Sequence, residues 1–209
     1  GNSPGSMSFQ IVTCHRRRGN KMEPVILPLV IWPDVGLTEV VAQFAEDDLG
    51  SDMVRNIAAS MLASMYHYRG VGLASTQVGV PFAIFTTDFT WQGQNDNPKT
   101  PRVFLNPVIS GASAEAQQLG GKGEGCLSFP YQFNSPVTRH QSISLDYYDF
   151  DGEKHTETFS DYEAIVIQHE FDHLRGACFI DRLSPLKKDM AIRKARKVRK
   201  SAMRELKAQ

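Results

Sequence analysis

Residues 160–176 read SDYEAIVIQHEFDHLRG. Ser160 followed three residues later by Glu163 is a capping-box pattern and predicts a helix start. Gly176 predicts its end. Between them, Ala164, Ile165, Val166, Ile167 and Leu174 leave few polar sides, so the helix is expected to be buried. His169, Glu170 and His173 form an H-E-x-x-H motif on it. Residues four apart share a helix face, so both imidazoles can reach one metal ion. Glu170, next to the first ligand, can sit beside a metal-activated water without ligating. The alternative, two packed histidines and a paired Glu, is expensive in a core because each polar group needs its own partner.

Outward from this helix the sequence alternates between two periods. Ser51 to Tyr68 predicts a helix: Ser51 is an N-cap, Met53, Ile57, Met61 and Met65 recur every four residues, and Gly70 follows. Such a Met stripe reads as core packing. Phe82–Thr87 and Val103–Ile109 are short β-branched and aromatic runs, with a polar loop from Asp88 to Pro101 between them. Ser142–Tyr148 alternates, placing Ile143, Leu145 and Tyr147 on one face. Asp151-Gly152 is a turn signal, and Lys154–Phe159 is the returning strand. Ser184-Pro185 opens a last helix. The expectation is one α+β domain: antiparallel strands around a buried metal-binding helix, with helices toward both ends.

A catalytic site of this type needs three protein ligands and an open position. The metzincin pattern would place a third His at 179, where Phe179 stands. Other zincins use a Glu on a later helix, and the only later one is Glu205 in a basic tail. The third ligand is therefore expected upstream. Cys126 leads over His155, His140 and Cys178, because thiolate is a strong donor to a soft or borderline metal. A small buried hydrophobe is the competing reading of that cysteine. A second upstream segment, Gly70 to Gln77, has two glycines and an amide donor in Gln77. Alone it reads as a helix-to-strand turn.

The 41% hydrophobic and 22% charged content suits a globular chain. No apolar run is long enough to span a membrane. Three cysteines make no disulfide framework and fit a reducing compartment. Net charge is zero, yet residues 185–209 hold ten Lys/Arg against two Asp/Glu, which suits a polyanionic partner or a solvated helix face. Residues 1–6 resemble a cloning scar, and 7–26 a lead-in or weak targeting segment. The expected organisation is 1–26 lead-in, 27–184 catalytic domain and 185–209 basic helix. The site alternatives are a peptide-bond metalloprotease and a non-enzymatic module with a structural metal.

Three segments together resemble the peptide deformylase family: Gly70 to Gln77 (G-x-G-L-A-A-x-Q, with Ser75 for the usual Ala), Glu124 to Ser128 (E-G-C-L-S) and Gln168 to His173 (Q-H-E-x-D-H). The resemblance implies metal ligands Cys126, His169 and His173, and Glu170 as general base and acid. It implies an oxyanion hole of Gln77 and the Leu127 N–H. Gly72 and Gly125 would line a peptide cleft, with Val71, Glu124, Tyr162, Ile165 and Val166 near the pocket for the first side chain. It further implies Fe(II) natively, with Zn, Ni or Co in purified protein, and N-formylmethionyl nascent peptides as substrate. A ribosome contact near the exit tunnel through the basic helix, and a cytoplasmic, bacterial-type location with an organelle as the alternative, follow from the same likeness. Tyr131 and Phe133 depart from many bacterial relatives, which carry Glu and Arg there, and are expected to reshape the cleft mouth.

Overall fold

The computed structural model describes residues 15–18, 21–91, 98–129 and 133–208. Gly1 to Cys14, which include the expected scar, and Tyr131 lie outside the described residues, as do positions 92–97 of the loop after Asp88. A hairpin of β1 (His15–Arg18) and β2 (Lys21–Pro24) comes first. Helix α1 (Asp52–His67) follows, with the Ser51 side chain accepting from the Val54 N–H as its cap. Then come β3 (Gly72–Ala74), β4 (Ile84–Thr87), β5 (Arg102–Ala112), β6 (Ala116–Gln117), β7 (Arg139–His140), β8 (Ser142–Tyr148) and β9 (Lys154–Ser160). Helices α2 (Asp161–Leu174) and α3 (Pro185–Ala208) complete the order.

Five strands form one antiparallel sheet in the order β3-β4-β5-β8-β9. Side chains alternate across a strand, and here each face meets a different helix. Leu73, Ile84, Val103 and Leu105 pack with Val54, Ala58, Met61 and Met65 of α1. Their neighbours Ala74, Phe85 and Phe104 pack with Ala164, Ile167 and Leu174 of α2. Both faces of β4 are therefore buried, and its sequence, Ile84-Phe85-Thr86-Thr87, does not alternate apolar with polar residues. β8 keeps the alternation, with Ile143, Leu145 and Tyr147 buried on one side. A third core joins Leu37, Phe129, Cys178, Phe179 and Ile180 to Ala191 and Ala195 of α3.

Four expectations change in the structure. The Met stripe does not run straight into the core: Met61 and Met65 are fully buried, but Met53 is 48% exposed, because the buried face of α1 runs through its neighbour Val54 and Ala58 instead. Gly70 to Gln77 is more than a turn, since it holds β3 and a 3-10 turn at Ser75–Val78. Ser160 sits at the N-cap of α2 without a side-chain cap bond. It is the last residue of β9, paired with Ser142, and the following Asp161 N–H donates to the Gln141 carbonyl. The sheet ladder, rather than a capping box, starts the helix. Finally, Phe133 turns inward onto Phe129 and Phe179 instead of toward a cleft mouth, because those rings offer it apolar contact. The end of α2 is as expected: Gly176 has φ +72° and faces the Thr38 carbonyl, so no side chain fits there.

Met65→Ala is expected to destabilise the fold by about 2–5 kcal/mol, and Met53→Ala by no more than about 0.5 kcal/mol, read from denaturant midpoints. Equal losses at the two positions would contradict this arrangement of α1.

Candidate metal centre

Helix α2 brings His169 and His173 to one face, and the segment after Gly125 brings Cys126 against them. The three ligand atoms lie within 4.8 Å of one another. Cys126 Sγ is 3.3 Å from His173 Nε2. Among the described residues no other His, Cys, Asp or Glu joins this group. The other candidate ligands are engaged elsewhere. His155 pairs with Asp149 at the surface, His140 Nδ1 meets the Ser113 carbonyl, and Cys178 lies in the third core, where burial pushes its thiol up to about 12. One thiolate and two imidazoles suit a borderline divalent metal. His173 Nδ1 is buried without a protein partner, and so is Glu170 Oε2. A three-donor set with room beside it fits an open catalytic site rather than a closed structural one.

The ligand His169 is fixed from behind. Its Nδ1–H donates to Glu124 Oε2 at 2.9 Å, which leaves Nε2 for the cluster. Both Glu124 oxygens also accept from Arg139, at 2.8 and 2.9 Å. Arg139 in turn donates to Asp172 at 2.5 Å, and Asp172 is held on its other side by Arg182. Burial opposes ionisation of Glu124, but the Arg139 and His169 hydrogen bonds outweigh it and hold its carboxyl down to about 2. Burial also opposes charge on His169, where the Cys126 and Glu124 bonds prevail and raise it. On His173, burial and the neighbouring His169 act together to lower it. Burial drives Glu170 up to about 7, where a carboxyl can both take and give a proton.

Gln77 is buried, with its Oε1 accepting from the Ala74 N–H at 2.8 Å. That bond fixes the amide so that Nε2 points at Ser128 Oγ and Cys126 Sγ. The Leu127 N–H has no acceptor among the described residues. Gly72 is required because any Cβ there would strike the Glu170 carboxylate. A cavity of about 560 Å³ opens over the cluster, with Val71, Gly125, Tyr162, Ile165 and Val166 among its walls. Every site residue expected from sequence thus borders one space except His173, which lies fully buried behind it. Glu124 borders it too, but its carboxylate is committed to Arg139 and His169 rather than free for a ligand. Arg139 and Asp172 escaped the sequence reading. The one available signal was an acidic residue, Asp172, on a helix otherwise expected to be buried, which demands a cationic partner somewhere.

The lowered carboxyl of Glu124 gives a stability prediction for the metal-free protein. A group whose pKa falls on folding stabilises above its unfolded value near 4.5 and loses that contribution as pH drops toward about 2. The shift corresponds to about 3 kcal/mol. Denaturation followed between pH 5 and 2 should show a steep acid loss in wild type and a flatter one in Glu124→Gln. Parallel curves would contradict this role for the carboxylate.

Comparison with known proteins identifies the family. The family model described as polypeptide deformylase matches residues 26–189. The peptide deformylase of Brucella suis is 36% identical over 173 residues, covering 83% of this chain and 93% of the relative. That of Maricaulis maris is 40% identical over 180 residues, covering 86% and 98%. Among solved structures, a peptide deformylase from Legionella pneumophila superposes with a TM-score of 0.72 at 29% identity, covering 86% of this chain and 99% of that one. A class I type b enzyme from Acinetobacter baumannii with Met-Ala-Ser bound gives 0.68 at 30% identity, covering 76% and 99%. The chain belongs to the peptide deformylase family, metal-dependent hydrolases that remove the formyl group from the N-terminal methionine of nascent polypeptides and release formate.

Proposed function

We propose that Cys126, His169 and His173 hold one Fe(II), replaceable by Zn, Ni or Co, and that Glu170 moves the protons of deformylation. The observation that carries this reading is the buried Glu170 carboxyl, raised to about 7 beside a three-donor cluster that faces a cavity. A divalent metal there supplies Lewis-acid activation of water and of the formyl carbonyl. Glu170 takes the proton of the attacking water and delivers it to the departing amine. Gln77 Nε2 and the Leu127 N–H donate to the formyl oxygen as charge builds on it, each donor contributing about 3–4 kcal/mol to the barrier reduction. His169 stays a ligand through one tautomer because Glu124, charged by Arg139, accepts its other N–H.

The methionine side chain of the substrate is assigned to the part of the cavity walled by Tyr162, Ile165 and Val166. Strand β3 is an edge of the sheet, paired only with β4. Its free side lets an extended peptide add as a strand beside Val71 and Gly72, with Gly125 opposite. The Met-Ala-Ser bound to the Acinetobacter baumannii relative has the size and chemistry of such a product.

The basic helix α3 is proposed to dock on ribosomal RNA near the exit tunnel, with the protein in the cytoplasm. No helix among the described residues is long and apolar enough to cross a membrane. Arg193, Lys194, Arg196, Lys197 and Lys200 of α3 are exposed, and phosphate contacts of this kind are salt-dependent. Ala191 and Ala195 of the same helix are core residues. Truncation at Pro185 would therefore uncover the third core, and charge substitution is the cleaner test.

Glu170→Gln is expected to retain one equivalent of metal and lose formate release from formyl-Met-Ala-Ser by several orders of magnitude, on the order of 10³ or more. Metal analysis and a formate assay check both, and near-normal turnover in that variant would remove Glu170 from the proton path. For the tail, Lys194→Glu/Lys197→Glu/Lys200→Glu should reduce co-sedimentation with ribosomes at low salt while the formate assay is unchanged. Undiminished co-sedimentation would contradict docking through α3.

A further inference from the structure

We propose that Arg69 is a specificity-determining residue that favours substrates with an acidic side chain at the third or fourth position, two or three residues after the methionine. The inference rests on the deformylase reading of the cavity and on strand addition along β3.

Arg69 borders the same cavity as Cys126 and Glu170 and is exposed to solvent. The ionised groups around that cavity are otherwise accounted for. Glu124 is closed between Arg139 and His169, and Glu170 is buried over the cluster. Arg69 has no acidic partner and no side-chain hydrogen bond among the described residues, so its guanidinium is the one unopposed charge on the wall.

The backbone at this position supplies an independent observation. Arg69 follows the C-cap Tyr68 of α1 and has φ +59°. Its N–H donates to the Tyr66 carbonyl, and the Gly70 N–H donates to the Met65 carbonyl. This is the left-handed residue that closes a helix, where glycine is the usual and least strained occupant. An arginine is held there against local backbone preference, and its side chain is directed to a ligand space rather than into the core.

Chain direction sets which substrate residue it meets. The reacting end of the substrate lies at Glu170, whose carboxylate sits against Gly72, and at Gln77, which follows β3. A peptide antiparallel to β3 then runs from Gly72 back toward Gly70 and Arg69. Arg69 lies three residues before Gly72, outside β3, so at no more than about 3.3 Å per residue this stretch leads from the end of the strand back to the end of α1. An extended arginine side chain covers the last of that span, which brings the guanidinium to the third and fourth residues of the substrate. The second residue lies closer to the strand than the charge does.

The test uses the metal-loaded enzyme with formyl-Met-Ala-Asp-Asp, formyl-Met-Ala-Lys-Lys and the neutral formyl-Met-Ala-Ser-Ser. Formate release gives kcat and KM for each. The acidic-to-basic ratio of kcat/KM is taken within each enzyme, so any general change in activity cancels. Wild type should prefer the acidic peptide about three- to fivefold, as an exposed ion pair allows. The preference should sit in KM and fade in 0.5 M salt, where the Debye length falls to about 4 Å. Arg69→Gly should bring the ratio near one, and Arg69→Glu should invert it. Arg69→Gly should also raise the thermal midpoint by about 2–4 °C, because glycine relieves the left-handed backbone. A wild-type ratio near one, an unchanged ratio in Arg69→Glu, or a lowered midpoint in Arg69→Gly overturns the proposal while the neutral peptide is still deformylated. Failure of metal-loaded wild type to release formate from the neutral peptide overturns the underlying reading instead.

Discussion

The site depends on one constraint: α2 carries two histidines and two carboxylates, Glu170 and Asp172, into a region nearly closed to water. Every charge on that helix must be met or neutralised there. The chain meets the demand with two arginines: Arg139, whose guanidinium is shared between Glu124 and Asp172, and Arg182, which pairs with Asp172 from the other side. Glu124 is thereby kept ionised, and an ionised Glu124 is what selects the His169 tautomer that leaves Nε2 for the cluster. Remove Arg139, and Glu124 loses its counter-charge, Asp172 is left with Arg182 alone, and a ligand loses its orientation. The cluster geometry is thus a consequence of charge balance behind it as much as of the H-E-x-x-H spacing.

Glu170 is the deliberate exception to that balance. It receives no cation of its own within hydrogen-bonding reach, and one oxygen has no protein partner. Burial therefore raises it, and the absence of a side chain at Gly72 lets it sit where it does. The two glutamates of one small site are pushed in opposite directions, Glu124 to about 2 and Glu170 to about 7. One is fitted to permanent charge and orientation, the other to exchange of protons. Burial raises both, and their difference comes from the Arg139 and His169 hydrogen bonds that Glu124 alone receives.

The sheet supplies the rigid frame for this arrangement. Because α1 and α2 cover opposite faces of the same strands, β3 is fixed by packing on both sides while its edge stays free. Gln77, one turn beyond β3, inherits that rigidity through its bond to Ala74. A donor that does not have to reorganise as charge develops is worth more than a mobile one. The third core, shared with α3, backs the segment carrying Cys126 in the same way.

The sequence alone determined that a helix lies within 160–176, the His169/Glu170/His173 spacing, the alternating strand β8 and the basic last helix, because these depend on local period and turn chemistry. It pointed to Cys126 through elimination and family likeness, since no spacing rule links a residue 43 positions before His169 to it. Tertiary structure alone decided the rest. Arg139 lies 33 residues from Asp172 and 15 from Glu124, and nothing local marks it as their partner. Strand β3 is three residues long and has no period to read; its existence depends on pairing with β4. Ser160 carries a cap residue in the cap position, yet a strand pair took over its work. The inward turn of Phe133 was likewise set by Phe129 and Phe179, which the chain brings to it only on folding. Local preference is written along the chain, whereas the pairing of buried charges and rings is a property of which distant segments share a core.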